Sequence, residues 1–209
     1  MEANFLQRLD PMQLSVLTEI GNIGSGNAAP ALAGFLNTVV DIEIPNIGIM
    51  DMDKLSHYFG GPDQPVLGLT LDLEGDLKGL MLHIVEPAFA SHLINTFYPK
   101  DLTELSAFDE MDISVVREMG NITTAAYINA IARMTNKFIN ITPPTDFIDT
   151  VSSVLERPFS LYKDLDHQVL FIDEKLRFSD TEFRSAMILI LEMQSMSDLF
   201  LSFGMEPIR

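Results

Sequence analysis

Cysteine is absent from the 209 residues. Disulfides, thiolate catalysis and zinc–thiolate sites are thereby excluded, and the absence fits a cytoplasmic location, the expected compartment. Basic residues are scarce: 13 Lys and Arg stand against 30 Asp and Glu, for a formal charge of −17. Such a chain repels nucleic acid and anionic membrane surfaces, so neither is an expected partner. The acidity serves either solubility or an acidic face that meets a basic patch on a protein. Apolar runs are short, as at Ala186–Leu191, and fall well below the roughly 20 residues of a bilayer span. The N-terminal residues lack a basic segment followed by an apolar one, so no signal peptide is expected. The four histidines, His57, His83, His92 and His167, share no motif. No His/Asp/Glu cluster has metal-ligand spacing, and no cofactor is expected on this chain.

What the chain does have is one pattern written twice. Ser15, Glu19, Asn22 and Pro45 recur 99 residues later as Ser114, Glu118, Asn121 and Pro144. Between residues 15–45 and 114–144, 11 of 31 aligned positions are identical without a gap, among them Gly21/Gly120 and Asn37/Asn136. A shared helical pattern would account for the apolar matches but not for a polar triplet at constant spacing. The chain therefore reads as a duplicated module carrying two copies of one site.

The expected architecture is α+β: one domain over 1–209, built from repeats at about 11–98 and 107–204. A mostly antiparallel shared β-sheet is flanked by two long helices. Asp10 and Pro11 open the first helix, which runs to about Asn37, and Phe108–Asn136 carries the second. Small residues at Gly21 and Gly24 would admit a neighbouring backbone. Thr38–Ile44 reads as a strand ended by Pro45, and Met50–Phe59 as a short helix. Val66–Leu73 and Leu77–Val85 form a hairpin, followed by a helix over Pro87–Tyr98. In the second half Lys137–Ile141 is a strand and Asp146–Leu155 the short helix. Gln168–Ile172 and Ala186–Met193 are strands joined by a long polar connection, and Ser195–Phe203 is the last helix. Strand order does not follow from this pattern.

On a helix, positions i, i+4 and i+7 share a face, so each triplet forms a narrow polar stripe. The stripe has no nucleophile with an adjacent base. Gly21-Asn-Ile-Gly24-Ser-Gly26 follows no strand and lacks a P-loop lysine, so it is not a phosphate loop. An exposed Glu suits a cationic partner group. A carboxamide one turn on can accept and donate at once, and so can hold a water in line with phosphorus. Phosphoryl transfer needs positioning and electrostatics more than covalent help. The bland alternatives are a solvated helix face or structural asparagines, and repetition at fixed spacing weighs against both.

At these residues the chain resembles the CheC family of chemotaxis phosphatases, the group that also contains CheX and FliY. The family pattern is Asp or Ser, Glu four residues on, Asn three after that and Pro twenty-three after Asn; both copies fit it. The resemblance extends from about Met12 to Gly204, including Phe59-Gly60-Gly61. It implies hydrolysis of the aspartyl phosphate of a CheY-type response regulator. Glu19 and Glu118 would pair with the regulator's lysine, and Asn22 and Asn121 would orient the attacking water. Ser15 and Ser114 would support the stripe, while Mg²⁺ would sit in the regulator rather than in this chain. The resemblance also implies contact with the deamidase CheD through the segment holding Asp146, Phe147 and Asp149. The other class of function it leaves open is a non-catalytic binder of phosphorylated CheY, or an adaptor of CheD.

Overall fold

The computed structural model describes residues 10–102, 104–161, 168–179 and 181–206. Two 26-residue helices, α1 (Pro11–Leu36) and α4 (Glu110–Thr135), start and stop at equivalent points of the repeat. Asp10 caps α1 by accepting from the N–H groups of Met12 and Gln13, and the Gln13 side chain accepts from the Asp10 N–H in return. Asp109 and Asp112 build the same box on α4. Both helices end on an asparagine in the left-handed region, Asn37 at φ 50° and Asn136 at φ 54°. Asparagine tolerates that conformation better than most residues, which explains its recurrence there.

The remaining elements are β1 (Val40–Asp51), α2 (Met52–Tyr58), β2 (Pro65–Gly75), β3 (Gly79–Val85), α3 (Pro87–Asn95), β4 (Ile139–Ile141), β5 (Thr145–Thr150), α5 (Val151–Leu161), β6 (Gln168–Phe178), β7 (Thr181–Leu191) and α6 (Met193–Ser202). All strands pair antiparallel in one sheet of order β1-β6-β7-β3-β2-β4, and β5 also pairs with β2. The first strand of each repeat therefore pairs with the hairpin of the other repeat. The order reads as a pseudo-two-fold about the β3–β7 contact.

Three expectations are corrected. Pro45 does not end its strand: β1 continues to Asp51, with a register shift between Glu43 and Asn46. A proline lacks the N–H a central ladder needs, but β1 is an edge strand and the bulge absorbs the defect. In the second repeat Pro143 and Pro144 divide the equivalent stretch into β4 and β5. Asp146 thus lies on a strand, and the short helix starts at Val151. The long polar connection in the second half is a hairpin whose outer rungs are ionic. Lys175 and Arg177 on β6 pair with Glu182 on β7, each at 3.0 Å, and Arg177 also reaches Glu43 on β1 at 3.0 Å. Cross-strand ion pairs replace the apolar alternation that a sequence pattern detects.

Each sheet face has its own core. Leu67, Leu69, Met81, Leu170, Ile172 and Leu189 pack with residues of α1, α3, α4 and α6. Val66, Leu80, Leu82, Val169, Phe171 and Ile188 pack with residues of α2 and α5. Strands covered on both faces lose their polar positions, and all seven residues of β3 are buried.

The long helices touch each other on one face of the sheet. A Cβ at Gly24 would lie 2.3 Å from Cδ1 of Tyr127, so the Tyr127 ring occupies the space a side chain on α1 would take. The neighbour admitted by the glycine is thus an aromatic side chain. Gly26 has nothing within 4 Å of its Cβ position. The two glycines should respond oppositely to alanine in urea unfolding. Gly24→Ala should lose about 1–3 kcal/mol by overpacking, and Gly26→Ala should gain about 0.5–1 kcal/mol by removing chain entropy.

Candidate functional site

The stripe residues lie where the helical period puts them. Leu17 and Ile20 on α1 are buried against the sheet, while Ser15, Glu19 and Asn22 are exposed. On α4, Val115, Val116 and Met119 are buried, Ser114 and Glu118 are exposed, and Asn121 is half-buried. The glycine between Glu and Asn seats each helix. A Cβ at Gly21 would lie 3.3 Å from Cδ1 of Ile47 and 3.5 Å from Cγ2 of Ile44. One at Gly120 would lie 2.7 Å from Cδ1 of Leu69. A larger residue at either position would press on these side chains, which would have to give way.

This seating accounts for the distant proline of the motif. Ile44 and Ile47 flank Pro45 in sequence, and both reach the helix at Gly21. In the second copy Ser114, Glu118 and Asn121 line a shallow cleft of ≈ 360 Å³ together with Ile141, Thr142, Pro143 and Pro144. Thr142 fixes that wall to β2: its Oγ1 accepts from the Asp72 N–H (2.9 Å), and its own N–H donates to the Asp72 carbonyl (3.0 Å). Four motif residues spread over 31 positions thus meet around one cleft.

The copies differ in the residue before the glutamate. Thr18 on α1 turns its hydroxyl back onto the Leu14 carbonyl at 2.8 Å. Its counterpart Arg117 lines the second cleft. The Arg117 guanidinium donates to Glu110 at 2.6 Å and through Nε to Asp146 at 2.6 Å. These carboxylates, Glu110 first, raise its pKa above the ordinary arginine value. Ser114 donates to the Met111 carbonyl at 2.7 Å, so its hydroxyl supports the helix turn.

Sequence reasoning missed Arg117, because its partner Asp146 lies 29 residues away on another element. Asp146, Phe147 and Asp149 do not act as one group. Asp146 holds Arg117, Phe147 lies under the Arg157 guanidinium at 4.4 Å, and Asp149 accepts from the Thr150 N–H at 2.7 Å. Among the described residues, no group of three or more His, Asp or Glu side chains is arranged to hold a metal ion. No described helix is long and apolar enough to cross a membrane.

Comparison with known proteins places this geometry. The CheC-like family model matches residues 12–49 and 111–148, one segment per repeat. The "CheY-P phosphatase CheC" of Bacillus subtilis is 29% identical over 197 residues, covering 92% of this chain and 94% of the relative. The "flagellar motor switch phosphatase FliY" of the same organism is 27% identical over 137 residues, 65% of this chain and 35% of that protein. The crystal structure of Thermotoga maritima FliY superposes with a TM-score of 0.72 at 18% identity, covering 94% of this chain and 98% of that one. Both matched segments carry a complete Ser-Glu-Asn-Pro pattern, its Ser, Glu and Asn on a helix seated against the sheet and its Pro on the stretch that follows, and over these segments the chain is similar to CheC-like proteins.

Proposed function

We propose that the chain hydrolyses the aspartyl phosphate of a CheY-type response regulator, each helix stripe serving one regulator molecule. The observation that carries this reading is the pair of Glu–Asn faces, one per repeat, with both glutamates exposed and each asparagine one turn beyond its glutamate. The phosphatase names of the relatives support it.

Glu19 or Glu118 accepts from the regulator's active-site lysine and sets the angle at which the helix enters. Asn22 or Asn121 then reaches the phosphoryl group. Its carbonyl accepts from a water and its amide donates to it, which places the water oxygen in line with phosphorus. The water oxygen bonds to phosphorus, and the bond between phosphorus and the aspartyl oxygen breaks with its electrons staying on the carboxylate. The water's proton leaves with inorganic phosphate. Mg²⁺ would be held by the regulator rather than by this chain, and would supply charge neutralisation for the phosphoryl oxygens there. No covalent intermediate forms on this chain, consistent with the absence of a base beside Ser15 or Ser114. The reaction belongs to the cytoplasm, where receiver domains are phosphorylated.

The test is decay of phosphate on a purified CheY-type regulator, with and without this chain. Faster decay supports the reading. Binding to the phosphorylated regulator without faster decay would replace it by the binder reading. The glutamates have their own test: Glu19→Lys with Glu118→Lys should weaken the complex by about tenfold or more, because a new cation meets the regulator's lysine. Titration calorimetry with beryllofluoride-loaded regulator reads this directly, and unchanged affinity would remove the glutamates from the interface.

A further inference from the structure

Two exposed methionines sit at equivalent positions of the repeat. Met12 is 66% exposed and Met111 is 67% exposed, 99 residues apart. Single exposed apolar side chains are common on any surface. These two are the same residue at the same register, and each lies three positions before the serine of its stripe. At 100° per residue, positions 12, 15, 19 and 22 fall within an arc of about 80°. The same holds for 111, 114, 118 and 121. Each methionine is thus the N-terminal end of a Glu–Asn face. The capping boxes of Asp10 and Asp109 hold both first turns in place.

We infer that Met12 and Met111 are docking residues for the phosphorylated receiver domain, each filling an apolar spot beside the phosphoryl pocket. The inference rests on the phosphatase reading of the two stripes and adds the apolar part of the partner's surface. Ten residues of helix separate each methionine from its asparagine, a rise of roughly 15 Å. The receiver must then offer an apolar side chain about 15 Å from phosphorus, on the side of its lysine and beyond it. A thioether suits this task, because its flexible chain adapts to an irregular surface and gains area on contact. The glutamate alone, in water, contributes little net affinity. An apolar anchor beside the ion pair supplies what the ion pair does not.

The test uses the full chain with Met12→Gln and Met111→Gln together, and Met12→Leu with Met111→Leu as the apolar control. Both replacements keep good helix formers in the first turn. Titration with beryllofluoride-loaded regulator should show affinity reduced about tenfold for the glutamine pair and within twofold of wild type for the leucine pair. The KM for phosphorylated regulator should rise in parallel, and turnover at saturation should fall by less than twofold. Unchanged affinity in the glutamine pair would overturn the inference. Equal losses in both pairs would do so too, by making the methionines structural. A dimer of this chain that dissociates in the glutamine pair would assign them to self-association instead. If wild type binds the regulator but does not speed decay, the phosphatase reading falls, and the affinity comparison still decides the methionines. If wild type does not bind the regulator, both fall.

Discussion

Asn22→Ala with Asn121→Ala should reduce the acceleration of regulator dephosphorylation by about 10²–10³, the loss typical when a preorganised polar group is removed from a catalytic site. Affinity for beryllofluoride-loaded regulator should stay within about threefold, because the glutamates and the rest of each face remain. The two single variants separate the sites. If both act, neither single change removes more than part of the rate, and their losses combine only in the double variant. The half-buried Asn121 lies in a cleft with Pro143 and Pro144, so its carboxamide is held against a wall, whereas Asn22 is exposed. Less rotamer freedom is lost on binding when the side chain is already confined. Asn121→Ala is therefore the costlier single change. Single-turnover decay of phosphorylated regulator reads all three variants, and full activity in the double variant would remove the asparagines from the mechanism.

The second large effect concerns stability. Glu174 on β6 is fully buried, and its carboxylate accepts from the Tyr127 hydroxyl of α4 at 2.9 Å. Burial raises its pKa from 4.5 to about 7, the Tyr127 hydrogen bond opposes this, and nearby Asp173 adds to the rise. A carboxyl whose folded pKa lies above its unfolded one favours the protonated native state. Its contribution is fully present below pH 4.5 and is lost as pH rises through about 7. The loss is on the order of 3 kcal/mol, at about 1.4 kcal/mol per unit. Glu174→Gln keeps the shape and an acceptor for Tyr127 but cannot ionise. Its stability relative to wild type should be nearly constant below pH 4.5, then grow between pH 5 and 8. Urea unfolding across that range measures it, and a flat difference would refute the assignment.

Buried His83 acts in the opposite sense. Burial lowers its pKa from 6.5 to about 3, and its Nε2 lies 2.6 Å from Thr124 Oγ1. Its contribution is present above pH 6.5 and is lost as pH falls towards 3. Between pH 4.5 and 6.5 the two groups offset each other, so the wild-type profile there should be flatter than that of Glu174→Gln.

The helix stripes were legible because they need only the helical period and a repeat: Ser15, Glu19 and Asn22 are close in sequence, and so are Ser114, Glu118 and Asn121. The Asp10 cap of the first helix was legible for the same reason. The continuation of β1 through Pro45 was not, since a proline stops a central strand and is tolerated on an edge, and edges belong to sheets. The β6–β7 hairpin was hidden because its outer rungs are ionic. Arg117 was invisible because its hold on Asp146 joins α4 to β5.

The sequence by itself determined that one Ser-Glu-Asn-Pro pattern occurs twice and that each Ser-Glu-Asn triplet shares one helix face, because duplication and helical spacing are local properties of the chain. Only the tertiary structure decided that each repeat lends its first strand to the other's hairpin. Only the fold, too, seats Gly21 on Ile44 and Ile47 and Gly120 on Leu69, and brings Pro144 to the cleft beside Asn121. The physical reason is that strand pairing is satisfied by any compatible edge. Which edge is chosen depends on the burial of both sheet faces at once, a condition met only when the whole chain is in place.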